Sequence, residues 1–216
     1  PGVVLGQLFL VAVVVRLTTL FLTPGFVGVD IWTHVPVFVE GIVEAESLSA
    51  IAESKYSMAP LYHAIGAIGA LVFDAPRAGV YLTVGLLVPL SALFVYGTAA
   101  TFVPARWALL ATGLFVLGDE VFRWGLHVIP TSLGLVFFLG ALYALTKLLV
   151  TDARWAVALL ATTSLATVFT HQVSTAIVLV LLGSASIVVL LAPLLGTRDS
   201  PSATSAAGIV GTFLLT

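Results

Sequence analysis

The stretch Met58-Ala59-Pro60-Leu61-Tyr62-His63-Ala64-Ile65-Gly66-Ala67-Ile68-Gly69-Ala70-Leu71-Val72-Phe73 decides how the rest of the chain is arranged. Its apolar run, Ala59 to Phe73, carries Tyr62, His63 and two glycines. A helix needs about 20 apolar residues to cross roughly 30 Å of hydrocarbon, and shorter runs more often lie in the interface or re-enter. Lying flat, this stretch leaves residues 23–78 as one external loop with two interfacial helices, about 30–46 and 59–73. Crossing the bilayer, it would put Asp30 and Asp119 on opposite faces. The flat arrangement is the expectation.

Outward from that stretch, composition sets the class. Of 216 residues, 60% are apolar and 8% charged, against about 25% charged in ordinary soluble domains. Mean hydropathy is +1.19. A water-soluble globule is excluded, and an all-α, polytopic transmembrane helix bundle is expected. Six runs read as spans, at about 2–22, 80–100, 107–118, 131–150, 156–170 and 174–195. Arg16 lies inside the first, either paired in the bundle or snorkelling. Pro89 is expected to kink the second. After the polar cluster 197–202, a seventh run from about 205 is too short to span. Together with Pro1 in place of Met, it reads as the cut edge of a longer protein. The net charge of −2 argues against nucleic acid, which needs a basic surface. The absence of cysteine removes disulfides and thiolate chemistry.

The first loop helix is amphipathic. Ile31, Val35, Phe38 and Ile42 recur on one helical face, and Asp30, Thr33, His34, Glu40 and Glu44 lie mostly away from it. That pattern suits a helix in the membrane plane, with Pro36 bending it or marking its start. In the flat arrangement Arg106, Lys147, Arg154 and Arg198 fall on one side. Asp30, Glu40, Glu44, Glu46, Glu53, Asp74, Asp119 and Glu120 fall on the other, with Lys55, Arg77 and Arg123. Lys and Arg near span ends favour the cytoplasm, so the acidic side is expected to be external.

The residues able to carry chemistry stand at those external ends. Asp30 can act as a base or hold a divalent cation; as a helix N-cap it would have a purely structural role. His34, at i+4, can orient Asp30, contact a phosphate or ligate a metal, or be a satisfied interfacial polar residue. Asp119 and Glu120 are adjacent acids close to lipid, costly unless hydrated, paired or metal-bound. Arg123 is placed to pair with Asp119 or to hold a phosphate through its fork of donors. His171, in Thr170-His171-Gln172, marks either a site or a plain turn. Tyr56 and Tyr62 read as interfacial anchors. No compact catalytic motif is present.

In this order the features resemble the GT-C superfamily of membrane glycosyltransferases, which includes oligosaccharyltransferases and dolichyl-phosphate-mannose protein mannosyltransferases. The resemblance is carried by Gly28-Val29-Asp30-Ile31-Trp32-Thr33-His34, by Gly41-Ile42-Val43-Glu44, by Tyr56-Ser57-Met58-Ala59-Pro60-Leu61-Tyr62-His63, by Asp119-Glu120 before Pro130, and by Thr170-His171-Gln172. It departs from the oligosaccharyltransferases, whose second acidic motif usually has one residue between its acids. It departs from the mannosyltransferases in having Ile31 after Asp30.

The resemblance implies transfer of a sugar from a polyprenyl-phosphate donor, such as a dolichyl phosphate, to a protein, glycan or lipid acceptor at the external face, as in protein glycosylation. Asp30, Asp119 and Glu120 would be catalytic, and would hold a divalent cation (Mg or Mn) if one is used. His34, Arg123 and His171 would bind substrate. Two other classes fit the composition. A transporter or permease often shows repeated halves and broken helices near the midplane; the sequence has no repeat, and its acids cluster at loop positions instead of mid-span. A non-catalytic membrane scaffold would not need Asp30 and Asp119 to converge.

Overall fold

The computed structural model describes residues 1–193 and 202–216, apart from the side chains of residues 120–122 and 124. The described residues form helices and turns with no strand. Four helical stretches are long and apolar enough to cross a membrane: Gly2–Leu22, Pro76–Phe102, Pro130–Thr151 and Gln172–Leu191. The first is α1. The second comprises α5 (Pro76–Val80), a wide π-helical turn at Tyr81–Gly85 and α6 (Leu90–Phe102). The expected break is there: a turn at Val88 and Pro89 separates the two parts, with the Ser91 hydroxyl donating to the Val88 carbonyl at 2.6 Å.

Four shorter apolar helices complete the apolar set. These are α4 (Leu61–Phe73), α7 (Ala105–Leu117), α10 (Ala156–Val168) and α12 (Ala203–Leu215), of 13 residues each. Thirteen residues rise about 20 Å, less than a hydrocarbon core of about 30 Å. Helix α9 is Pro130–Thr151 and α11 is Gln172–Leu191. The expected end of the 174–195 span and the cation Arg198 lie outside the described residues.

The loop after α1 folds as a compact cap. It holds α2 (Ile31–Thr33), a π-helical turn over His34–Val39 and α3 (Glu40–Ala45), one helical path with a widened middle. Pro36 explains the widening. It has no N–H to donate, and an i→i+5 turn accommodates the gap. The added residue shifts the buried face by one. Ile31, Val35, Val39 and Ile42 are buried, so Val39 takes the place expected of Phe38, and His34 turns inward at 4% exposure instead of lying away from the apolar face.

Both ends of α4 are tied to the same end of the bundle. The Leu61 N–H donates to the Phe169 carbonyl at 2.8 Å, beside the α10–α11 turn. Just past the C-terminus of α4, Arg77 donates to the carbonyls of Thr19, Leu20, Thr23 and Gly25 at 2.7–3.2 Å. Those carbonyls belong to the last turn of α1 and its exit, where helix acceptors lack intrahelical partners. The hairpin from α4 to α5 is tight because glycine meets glycine: a Cβ on Gly69 would stand 2.5 Å from the Gly79 carbonyl oxygen.

Tyr62 is not the interfacial anchor expected of it. It is fully buried, and its hydroxyl donates to the Val128 carbonyl at 2.6 Å. Arg16 is likewise no snorkelling residue; it is 2% exposed and packs against Gly125 of α8 (Asp119–His127), where any side chain would collide with the guanidinium. At the opposite end of the bundle, Asp152 accepts from the Ser202 N–H and from the Ser202 and Ser205 hydroxyls at 2.6–3.2 Å, joining the α9–α10 turn to the start of α12.

Candidate functional site: a polar cleft at one end of the bundle

Three segments meet where α4 begins: the first loop, the turn before α9, and the α10–α11 turn. Between them lies a hollow of about 190 Å³ lined by Asp30, His34, Lys55, Tyr56, Thr131 and His171, with Gln172 and Thr170 at its edge. An adjoining hollow of about 330 Å³ shares Asp30, His34, Lys55 and Tyr56 and adds Thr33 and Ser54. The larger hollow of about 490 Å³ lies between α3 and α4, lined mainly by Ile42, Val43, Ala67, Ile68 and Leu71. Glu46 is its sole titratable side chain, so chemistry belongs to the polar cleft.

Asp30 holds the N-cap position of α2, and its backbone carbonyl accepts from the N–H groups of Thr33 and His34. Its carboxylate makes no capping bond, so the purely structural role open to it in the sequence is not the one it plays. The side chain is exposed at the mouth of the cleft. Gly28 makes this placement possible. It has φ +97°, and a Cβ there would meet the His127 ring at 2.8 Å, so the chain passes close over the end of α8 and turns back to Asp30 in a conformation glycine tolerates.

His34 and His63 are hydrogen bonded, Nδ1 to Nε2, at 3.0 Å. Tyr56, Phe38 and Tyr62 pack around them at ring-centroid distances of 4.8–6.1 Å. Burial pushes His34 down to about 4, with Asp30 opposing the shift and Lys55 and His171 adding to it. Burial and the neighbouring His34 take His63 down to about 3. Both rings are therefore neutral near neutral pH.

His171 is occupied within the protein. Its Nδ1 accepts from the Ser174 N–H at 3.3 Å, capping α11. That leaves the proton on Nε2, which donates to the Thr131 hydroxyl at 3.1 Å. The ring thus ties the α10–α11 turn to the first turn of α9, one side of the cleft to another. Gln172 extends the tie by donating to the Lys55 carbonyl at 3.0 Å.

Of the residues singled out from the sequence, the structure gathers Asp30, His34 and His171. Asp119 and Arg123 are exposed on α8 and do not line the cleft; Glu120 belongs to α8, with its side chain outside the described residues. The adjacent acids have a local reason to be there. They open a helix, where backbone N–H groups favour negative charge. Helix α8 borders the cleft region through His127, which burial and Arg123 hold below its ordinary value while Asp30 opposes. Among the described residues, no three His, Asp or Glu side chains gather closely enough to hold a metal ion.

Lys55, Thr131, Gln172 and His63 were not singled out as site residues. The sequence signal for Thr131 and Gln172 is a polar residue at the first turn of an apolar helix. Lys55 has the weaker signal of one of two cations in an acidic loop, with its ammonium 5.1 Å from the Tyr56 ring centroid. Comparison with protein-family models, curated proteins and solved structures gives no match.

Proposed function

We propose that the protein is an integral membrane glycosyltransferase of GT-C type, moving a sugar from a polyprenyl-phosphate donor to an acceptor at the external face. The observation that carries this reading is the meeting of Asp30, His34 and Lys55 of the first loop with the two later turns in one polar cleft. Such a cleft, at the end of an apolar bundle, lies at the depth where a lipid-linked phosphate and sugar would sit while the carrier's tail stays in hydrocarbon. The ties at both ends of α4 support a helix that lies along the membrane rim. Arg106, Lys147 and Arg154 flank turns at the opposite end, which supports a cytoplasmic placement for that end.

In the reaction the acceptor's oxygen or nitrogen bonds to the anomeric carbon and gives up its proton, which the departing phosphate takes. The bond from that carbon to the carrier phosphate breaks, and the phosphate leaves with the electron pair. The Asp30 carboxylate, at the mouth of the cleft, orients the acceptor's N–H or O–H. Lys55 at the cleft and Arg123 on the bordering helix supply positive charge as the phosphate departs, the kind of electrostatic contribution that weighs heavily in catalysis. Asp119, exposed at the start of α8 and outside the cleft lining, acts on the donor only at a distance.

The test is transfer of labelled sugar from dolichyl-phosphate-mannose and dolichyl-phosphate-glucose by the full-length protein in vesicles. Asp30→Asn is expected to lower the rate about 100-fold, at the low end of what loss of one positioned catalytic group costs, and Asp119→Asn less. Near-normal rates in both variants overturn the assignment. Solute flux across the vesicle membrane without transfer would make the protein a transporter.

A further inference from the structure

We propose that His63 locks His34 in the tautomer carrying its proton on Nε2, so that His34 offers the cleft a fixed N–H donor for an anionic oxygen. The inference starts from a division of labour. His34 lines the cleft and His63 does not. The two rings share one hydrogen bond, between His34 Nδ1 and His63 Nε2, and one of these nitrogens must be the donor.

Two observations choose the donor. His63 is fully buried, and its other nitrogen, Nδ1, has no hydrogen-bond partner. A proton there would be an orphaned buried N–H, the rarer of the two kinds of unsatisfied polar group. His63 therefore carries its proton on Nε2 and donates to His34 Nδ1, which fixes the His34 proton on Nε2. Asp30 points the same way: its carboxylate lines the cleft beside His34, and its field favours a proton on the nitrogen the cleft can reach. Among the described residues no bond takes up His34 Nε2.

The groups facing His34 are Asp30, Lys55, Tyr56, Tyr62, His63 and His171. Burial keeps both histidines neutral near neutral pH, so the donor does not depend on His34 being charged. A neutral N–H fixed in direction, beside the positive charge of Lys55, suits a phosphate oxygen. His63 is a positioning residue, touching the ligand only through His34. The inference rests on the glycosyl-transfer reading only for which molecule brings the oxygen.

The experiment is nitrogen NMR of the full-length protein, labelled at its four histidines, in nanodiscs at neutral pH. His34 is expected to show a protonated Nε2 and an unprotonated Nδ1. His63→Phe is expected to leave His34 as a mixture of tautomers, and His63→Gln, whose amide N–H can replace the lost donor, to restore the single one. The His34 Nε2–H signal should shift on titration with dolichyl phosphate; a shift with inorganic phosphate alone would place recognition in the phosphate without the lipid. A His34 protonated on Nδ1, or one unchanged in His63→Phe, overturns the lock. Silence toward both phosphates overturns the ligand assignment. In the transfer assay His63→Phe should cost about 10- to 100-fold, the range for partners that orient a histidine, with His63→Gln recovering most of it. A wild-type protein with the locked tautomer and no transfer would sink the enzyme reading and leave the lock standing.

Discussion

The two larger buried clusters, beside a small third one around Ala12, Ala92 and Val116, are held together differently. The first gathers the loop helices with α4, the π-helical turn and the start of α9, around Ile31, Val35, Tyr62, Tyr81 and Leu133. Its polar groups reach across long stretches of chain: Tyr62 to the Val128 carbonyl, Tyr81 to the Leu126 carbonyl at 3.3 Å, His34 to His63. The second gathers α9 to α12 around Ala141, Ala144, Leu148, Leu160 and Leu182. Here the hydroxyls of Thr163 and Thr167 return to carbonyls of their own helix, and small residues let helices approach. Straight helices satisfy their own backbone, so close packing suffices between them. Irregular chain does not, and side chains must supply the missing partners. The polar cleft lies against the first cluster, where such side chains are already required.

The contrast can be broken most forcefully at glycines. Gly69→Ala sets a methyl group against the Gly79 backbone, which cannot turn aside, and should cost about 3 kcal/mol or more. Gly208→Ala in the second cluster meets a Val157 methyl at 2.6 Å, a side chain able to shift, and should cost about 1 kcal/mol. Thermal unfolding in detergent measures both; equal losses would erase the distinction. Next come the hydroxyls. Tyr62→Phe leaves a buried carbonyl unpaired and should cost about 1–3 kcal/mol, whereas Thr167→Val removes a bond within one helix and should cost about 0.5 kcal/mol.

Acid should separate the clusters further. An unfolded histidine takes up its proton near pH 6.5, whereas burial holds folded His34 down to about 4. Between those values the unfolded chain binds more protons, so stability is complete above pH 6.5 and declines as pH falls toward 4. His34→Asn should flatten that slope in unfolding curves, while a cavity variant of the second cluster, such as Leu160→Ala, should shift the curve and keep the slope. The smallest effect is expected at Asp152. Hydrogen bonds from Ser205 and Ser202 hold its carboxyl below the usual 3.8, so its contribution is present above that value and lost as pH falls further. It is exposed, and Asp152→Asn should move the melting temperature only slightly, with any loss confined to the α12 junction in hydrogen exchange.

The apolar helices were readable because their signal is local. Pro89 announced its break, and the runs at 2–22 and 131–150 match α1 and α9 within a residue at each end. The cap was harder. The period of Ile31, Val35 and Ile42 placed a helix correctly, but Pro36 widened it, and the face moved from Phe38 to Val39. Asp30, His34 and His171 were legible as polar residues at the ends of apolar runs. The partnership of His34 with His63 spans 29 positions and leaves no periodic trace, and nothing local to Arg77 shows that its donors meet the carbonyls at the exit of α1, more than 50 positions earlier.

Val128 sits at φ 45°, a backbone region that β-branched residues seldom occupy, and the Tyr62 hydroxyl that grips its carbonyl comes from 66 positions earlier. During synthesis the tyrosine emerges first and has nothing to hold. The threonine rim at residue 131 can settle only after the later half arrives and the grip closes, so the cleft is a late product of biogenesis, made by neither half of the chain alone.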